Sequence, residues 1–354
     1  MPYTWWAGTL LTPRGRFITP LARRMLSLLY RDAVWLWCLN GRARLRHLAG
    51  RDRAPRPPAG PAGSSLTREG YVRVEFAESL WRAVAGAAET LMAAPRNARQ
   101  IADGRSAAGG KDYQIRLLAD EGQQLDLSHP VARTVLDSSV LAQVADHLGC
   151  WPRLHSVDIW LNLPVAVDRP PEASQRWHRD YEDHRIVKLF VYLRDVNEAT
   201  GPLTVVGATH SRGRHWRVLP APVPHGMVLD ERAVAAAFTP RDIHPLCGPA
   251  GSAYLVDTTA VHRGGRSTHL PRLVLTATYA TGAAVRPIQL RPSLTGSLAG
   301  LTPLQRHAVA PRHVQPAAVA GRGGTWVAPP WTATIEAAKV NRSQNLATFP
   351  SQDQ

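Results

Sequence analysis

His178 and Asp180 stand two apart in Trp177-His178-Arg179-Asp180, so on extended backbone both side chains leave the same face. An imidazole and a carboxylate side by side are two ligands of the 2-His-1-carboxylate facial triad that holds non-haem iron(II). The third ligand must come from a distant segment, and His262 is the candidate. Arg272, ten residues further on, is the candidate anchor for a dicarboxylate co-substrate. Two neutral imidazoles and one carboxylate leave such a site singly negative, which suits Fe(II), with positions free for a 2-oxo acid and dioxygen. The triplet alone decides nothing, because 14 His and 27 Asp plus Glu in 354 residues yield one His-x-acid triplet by chance. The surrounding elements must carry the case.

From Val157 onward the chain reads as strands and turns: Val157–Leu163, Ile186–Leu193, Leu203–Val206, Gly226–Leu229, Ser252–Val256 and Leu273–Tyr279, with Gly and Pro in nearly every gap. One helical stretch, Glu231–Phe238, interrupts them. Many strands without long intervening helices indicate a β-sandwich or jelly roll. In a jelly roll a late strand folds back beside an early one, and Ser252 to His262 is such a strand with a turn, ending in the histidine. Arg272 opens the apolar strand that follows. An unpaired charge in the interior is very costly, so an inward Arg272 needs a partner, and the distal carboxylate of 2-oxoglutarate would provide one as a bidentate fork. Lys188 shares a strand face with Phe190 and Tyr192; if that face is interior, it too needs an anion. His184, His210 and His215 read as surface or hydrogen-bonding histidines, and Glu182 and Asp183 as loop residues at the pocket mouth.

Upstream the pattern is mixed. Gly70–Phe76 alternates like a strand, Glu78–Met92 has helical periodicity, Tyr113–Leu118 reads as a strand and Val131–Leu148 as one amphipathic helix. A basic helix from about Leu21 to Leu48 precedes a Pro/Gly/Ser linker over 53–65. Leu301–Ala310 reads as a last helix, and Ala318–Gln354 as loop or disordered tail. The expected organisation is an N-terminal extension and linker (1–65), a main domain (66–290) and a C-terminal extension (291–354).

Hydrophobic residues make up 44%, enough for a full core. The formal charge of +15 comes almost wholly from Arg, since Lys occurs only at 111, 188 and 339. The Arg residues are spread without long blocks, which points to compositional bias rather than a nucleic-acid footprint and weakly favours an anionic substrate. Cys38, Cys150 and Cys247 form neither a disulfide framework nor zinc spacing. No signal peptide is evident, and the most apolar run, Ala33 to Leu39, is far short of the ~20 residues that span a bilayer. A soluble, cytoplasmic protein is expected.

The segment from Trp177 to Val196, with Trp-His-Arg-Asp and then Tyr192-Leu-Arg-Asp-Val196, followed by Gly201-Pro-Leu-Thr and a turn to His210-Ser211, resembles the phytanoyl-CoA dioxygenase family. Residues 251–279 are similar to that family's second half: a Gly, a strand ending near Asp257, a distal His262 and an Arg about one strand-turn later. Val206-Gly-Ala-Thr-His210 replaces the family's Pro-Gly-Ser-His, and Thr200-Gly201 its Asn-Gly; neither touches the metal ligands. The resemblance implies a double-stranded β-helix (jelly roll, cupin-like), mainly β with flanking helices. It implies Fe(II) on His178, Asp180 and His262, and 2-oxoglutarate on Arg272, with Lys188 a weaker carboxylate contact. It further implies hydroxylation of a small organic substrate with release of succinate and CO2. Asp180 argues against the halogenases of the wider family, where a small residue replaces the carboxylate. The alternatives are a cupin-like metal-dependent isomerase or hydrolase without 2-oxoglutarate, and a non-catalytic binding module.

Overall fold

Alternation of side chains across extended backbone builds the frame of the site. A computed structural model describes residues 64–106, 111–118, 124–180, 182–183, 185–219, 228–281, 292–309 and 314–315. The expected Leu21–Leu48 helix, most of the 53–65 linker, the 318–354 tail and the first half of the expected Gly226–Leu229 strand lie outside the described residues. The strands are β1 (Tyr71–Val74), β2 (Gln114–Arg116), β3 (Gln124–Asp126), β4 (Arg153–Asn162), β5 (Ile186–Tyr192) and β6 (Leu203–Val206). Then follow β7 (Ile243–Leu246), β8 (Ala253–Asp257), β9 (His262–Gly264), β10 (Arg272–Ala280), β11 (Ser293–Thr295) and β12 (Val314–Gln315).

An antiparallel six-stranded sheet runs β1-β8-β5-β10-β4-β2, and an antiparallel three-stranded sheet runs β7-β6-β9. The fold is thus mainly β, two facing sheets rather than a closed barrel, as the double-stranded β-helix reading requires. A small parallel sheet, β12-β11-β3, stands apart from these two.

Each face of the large sheet has its own task. Val157, Ile159 and Leu161 of β4, Val187, Leu189 and Val191 of β5, and Leu273, Leu275 and Ala277 of β10 form one buried cluster with the helices Glu78–Ala93 and Ser138–Leu148. The alternate residues face the three-stranded sheet. There Tyr192, Val274, Tyr254 and Val256 pack with Leu203, Val205 and Leu246. Polar residues occupy the rest of that inner face, which is where the site lies. Insertion of β10 between β4 and β5 sets Arg272 beside Asn162 and Val274 beside Tyr192.

The single helix expected over Val131–Leu148 is two, Pro130–Val135 and Ser138–Leu148. Asp137 is the cause: its Oδ1 accepts from the backbone N–H of Ser139 (2.9 Å) and Val140 (3.1 Å), a cap that starts a new helix in mid-pattern. β7 was hidden by Pro245, which a strand tolerates at a sheet edge, where β7 lies. β9 escaped notice because it has only three residues and ends in Gly264-Gly265. Gly265 is needed there: a Cβ would lie 2.5 Å from the Gly201 carbonyl carbon, so the two loops could not pass. No described helix is long and apolar enough to cross a membrane.

Candidate active site

His178 and His262, far apart in sequence, are paired residue to residue. The His178 N–H donates to the His262 carbonyl (2.9 Å) and the His262 N–H to that of His178 (3.0 Å). This is an isolated antiparallel bridge rather than the longer strand the motif suggested. The Asp180 N–H donates to the Thr258 carbonyl (2.9 Å), which keeps the backbone extended and puts Asp180 on the same side as His178. The imidazole centroids lie 4.2 Å apart. Asp180 Oδ1 is 3.7 Å from His178 Nε2, and Oδ2 is 3.6 Å from His262 Nε2. One ligand atom from each of the three residues falls within 4.8 Å of the others.

Both rings are oriented by the backbone. His178 Nδ1 is 2.9 Å from the Arg176 carbonyl and His262 Nδ1 is 2.9 Å from the Ala260 carbonyl. A carbonyl only accepts, so each Nδ1 carries the proton and each Nε2 turns a lone pair toward Asp180. Burial, followed by the neighbouring His262, pulls His178 down to about 3. Burial also lowers His262, against the pull of Asp180. The two imidazoles are therefore neutral at physiological pH, the form that binds metal.

Burial opposes ionisation of Asp180, but the Lys188 ammonium outweighs it and holds the carboxyl well below the usual range. Lys188 Nζ lies 2.7 Å from Asp180 Oδ2 and 3.2 Å from Glu182 Oε1. Burial would lower the lysine, yet these two carboxylates hold it above its ordinary value. Lys188 thus does face inward, and the protein itself supplies the anions it needs.

Arg272 is buried, and its Nε and Nη1 have no hydrogen-bond partner among the described residues. Burial lowers its guanidinium, with Tyr192 and Tyr113 the groups that act against this. Among the described residues it has no ion pair such as Arg116 makes with Asp158. Arg179, between the two motif residues, points the other way. It is fully buried, donates to the carbonyls of Thr209 and Thr259, stacks on Trp216 at 4.4 Å, and is pulled down to about 9 by burial.

His178, Asp180, His262, Lys188 and Arg272 all line one cavity of about 410 Å³. Sequence reasoning missed the rest of the large-sheet wall, where β2 contributes Gln114 and Arg116 and β4 contributes Asp158, Trp160 and Asn162. The signal was there: in both predicted strands polar residues alternate with apolar ones, a pattern that exposed outer faces also produce. Lys111 and Ser174 come from irregular segments that carry no such signal. Glu182 lines the cavity as expected of a mouth residue. Asp183 does not; it is buried and accepts from the Thr281 N–H (2.8 Å). His210 is a buried hydrogen-bonding residue (Nε2 to the Thr67 carbonyl, 3.1 Å), His215 stacks on Phe238, and His184 lies outside the described residues.

Among solved structures the chain is similar to EctD from S. alaskensis with 2-oxoglutarate and 5-hydroxyectoine (22% identical, covering 67% of this chain and 83% of that chain, TM-score 0.45). It is also similar to the non-heme alpha ketoglutarate dependent epimerase SnoN from nogalamycin biosynthesis (20% identical, 62% of this chain and 81% of that chain, TM-score 0.39). A third is AviO1 from Streptomyces viridochromogenes (17% identical, 67% of this chain and 98% of that chain, TM-score 0.37). These likenesses are too low in identity and TM-score to bear on substrate or reaction. No curated protein sequence matches. The family model described as phytanoyl-CoA dioxygenase matches residues 67–274, more than half of the chain. The chain belongs to the phytanoyl-CoA dioxygenase family and is a 2-oxoglutarate-dependent oxygenase.

Proposed function

We propose that this oxygenase hydroxylates a small organic substrate, with Fe(II) on His178, Asp180 and His262 and 2-oxoglutarate on Arg272. The convergence of two Nε2 lone pairs and one ionised carboxylate on a single point carries the reading. Two nitrogens and one oxygen, with cavity on the far side, suit an open iron(II) site. Iron(II) with 2-oxoglutarate supplies the oxidising chemistry, in which one atom of dioxygen enters the substrate and the other enters succinate, with loss of CO2.

The chain's own residues bind, orient and exclude water. The Arg176 and Ala260 carbonyls fix the tautomers of the ligand histidines. Lys188 keeps Asp180 ionised and aimed. Arg272 takes the distal carboxylate of the co-substrate and so gains the partner that its burial demands. Phe190, Tyr192, Leu203 and Val274 give that part of the cavity an apolar wall. A cupin-like hydrolase or isomerase would have no use for a buried, unpartnered guanidinium within the same cavity.

Anaerobic titration of the apoprotein with Fe(II) and 2-oxoglutarate tests this through the weak visible metal-to-ligand charge-transfer band. The band is expected in wild type, absent in His178→Ala, and formed only at far higher 2-oxoglutarate in Arg272→Ala. Iron binding without any band would overturn the co-substrate assignment, and no iron binding would overturn the metal site.

A further inference from the structure

Among the described residues, the charged groups of the cavity can be paired off, and one cation is left over. Arg116 is satisfied by Asp158, and Lys188 by Asp180 and Glu182. Under the proposed function, on which this inference rests, iron neutralises Asp180 and the proximal carboxylate of 2-oxoglutarate. Lys188 then keeps Glu182, and Arg272 takes the distal carboxylate. Lys111 remains. It lines the same cavity, donates to Ser174 Oγ (3.2 Å) and lies over the Trp160 ring (5.4 Å), but makes no ion pair among the described residues.

Asp112, next to Lys111 in the chain, and Glu172 both accept from Arg169, at 3.0 and 3.1 Å, while Asp180 and Glu182, whose charges reach Lys111, are held by Lys188. Ser174 is presented by a turn in which Ala173 has φ +45°, a left-handed conformation that costs energy for a residue with a Cβ. The Tyr113 hydroxyl, 3.1 Å from Ser174 Oγ, completes a polar cluster. Lys111 is also near enough to the metal ligands for its charge to act on His178 and Asp180. Cavities that hold small ligands run to roughly 300–1,000 Å³. At about 410 Å³, with 2-oxoglutarate inside, this one leaves space for a single small molecule between Lys111 and the metal ligands.

We infer that the substrate is a small anion whose carboxylate or phosphate group is held by Lys111 and Ser174 beside Trp160, placing the rest of the molecule toward His178, Asp180 and His262. Burial pulls the Lys111 ammonium below its ordinary value, a cost that an incoming anion relieves. A neutral substrate would leave the ammonium desolvated and half-satisfied.

The test uses protein loaded with Mn(II), a redox-silent substitute, and saturating 2-oxoglutarate, titrated calorimetrically with benzoate, phenyl phosphate and benzamide. One charge-assisted hydrogen bond is worth about tenfold or more in affinity. One or both anions should bind at least tenfold more tightly than benzamide, and which one does so identifies the group. Lys111→Met should erase the preference, Lys111→Arg should keep it, and Ser174→Ala should reduce it several-fold. Benzamide binding as tightly as both anions would overturn the inference, as would a preference that survives in Lys111→Met. Displacement of 2-oxoglutarate by the anions would overturn it too, since they would then be occupying the Arg272 site. Loading with Mn(II) and 2-oxoglutarate is measured first. Failure there strikes the proposed function, whereas normal loading without an anion preference strikes only this inference.

Discussion

Replacing Arg272 by Met should weaken the co-substrate complex and strengthen the empty protein. The guanidinium is buried with two of its nitrogens unpartnered, so the free protein bears its desolvation without return. Removing one partner of a buried, hydrogen-bonded charge pair costs about 2–5 kcal/mol of binding. The metal would still chelate the other end of 2-oxoglutarate, which favours the lower part of that range. A loss of about 3 kcal/mol is about 150-fold in Kd. In the empty protein the sign reverses, because a buried charge without a partner loses to an apolar side chain of similar volume by about 1–4 kcal/mol. For a domain of this size each kcal/mol moves Tm by about 2–4 °C.

Two measurements decide the matter: 2-oxoglutarate affinity of the Mn(II)-loaded protein by calorimetry, and Tm of the metal-free protein by differential scanning. Arg272→Met should bind 2-oxoglutarate about a hundredfold more weakly and melt several degrees higher. Arg272→Lys should fall between on affinity, since it keeps the charge but loses the fork. If Arg272→Met melts lower while affinity stays within threefold, Arg272 is a structural residue and the reasoning fails.

Lys188→Met removes the cation that neutralises Asp180 in the empty site. The metal-free protein should lose stability, by about 3 kcal/mol for a broken buried pair, while Mn(II) affinity should rise about tenfold because the competing charge is gone; unchanged Mn(II) affinity would refute this. pH acts through the histidines whose folded pKa lies below the ordinary 6.5, namely His129, His178, His210 and His262. Below pH 6.5 the unfolded chain takes the protons first, so their stabilisation is complete above 6.5 and is lost as pH falls toward 3. The slope is up to about 1.4 kcal/mol per pH unit for each, readable by urea denaturation of metal-free protein. With His178 held near 3, the Mn(II) Kd should change little between pH 8 and 6, and a steep rise would contradict the tautomer argument. Asp137→Ala removes a helix cap and should cost about 1 kcal/mol, with 2-oxoglutarate affinity untouched.

Much of the site was legible because its residues sit where alternation is strict. Ile186 to Tyr192 forms β5, so placing Lys188 with Phe190 and Tyr192 on one face followed from spacing alone. The strand at 273–279 gains only its end residues, and Arg272 stands at its start as expected. The histidines were harder, since fourteen share one chemistry, and only the bridge between His178 and His262 distinguishes the pair from His210. What sequence could not supply is the identity of salt-bridge partners. Lys188 was expected to want an anion and has two, Asp180 and Glu182, one turned in from the motif and one from the loop after it. Lys111 and Ser174 meet only because two irregular segments cross, and no periodicity encodes that.

The same distinction appears among the arginines. Several arginines are bound to backbone carbonyls: Arg185 to Leu148 (2.6 Å), Arg266 to Ala166 (2.6 Å), Arg179 to Thr259 (2.7 Å), and Arg212 to His147. A carbonyl satisfies a guanidinium as an acceptor without cancelling its charge. Arg272 breaks the pattern within a cavity that Arg116 also lines. Arg116 has its carboxylate and Arg179 has its carbonyls, whereas Arg272 has neither among the described residues. A buried arginine that the fold leaves open, in the cavity lined by the metal-ligand residues, is the charge pattern of a ligand site rather than of a scaffold.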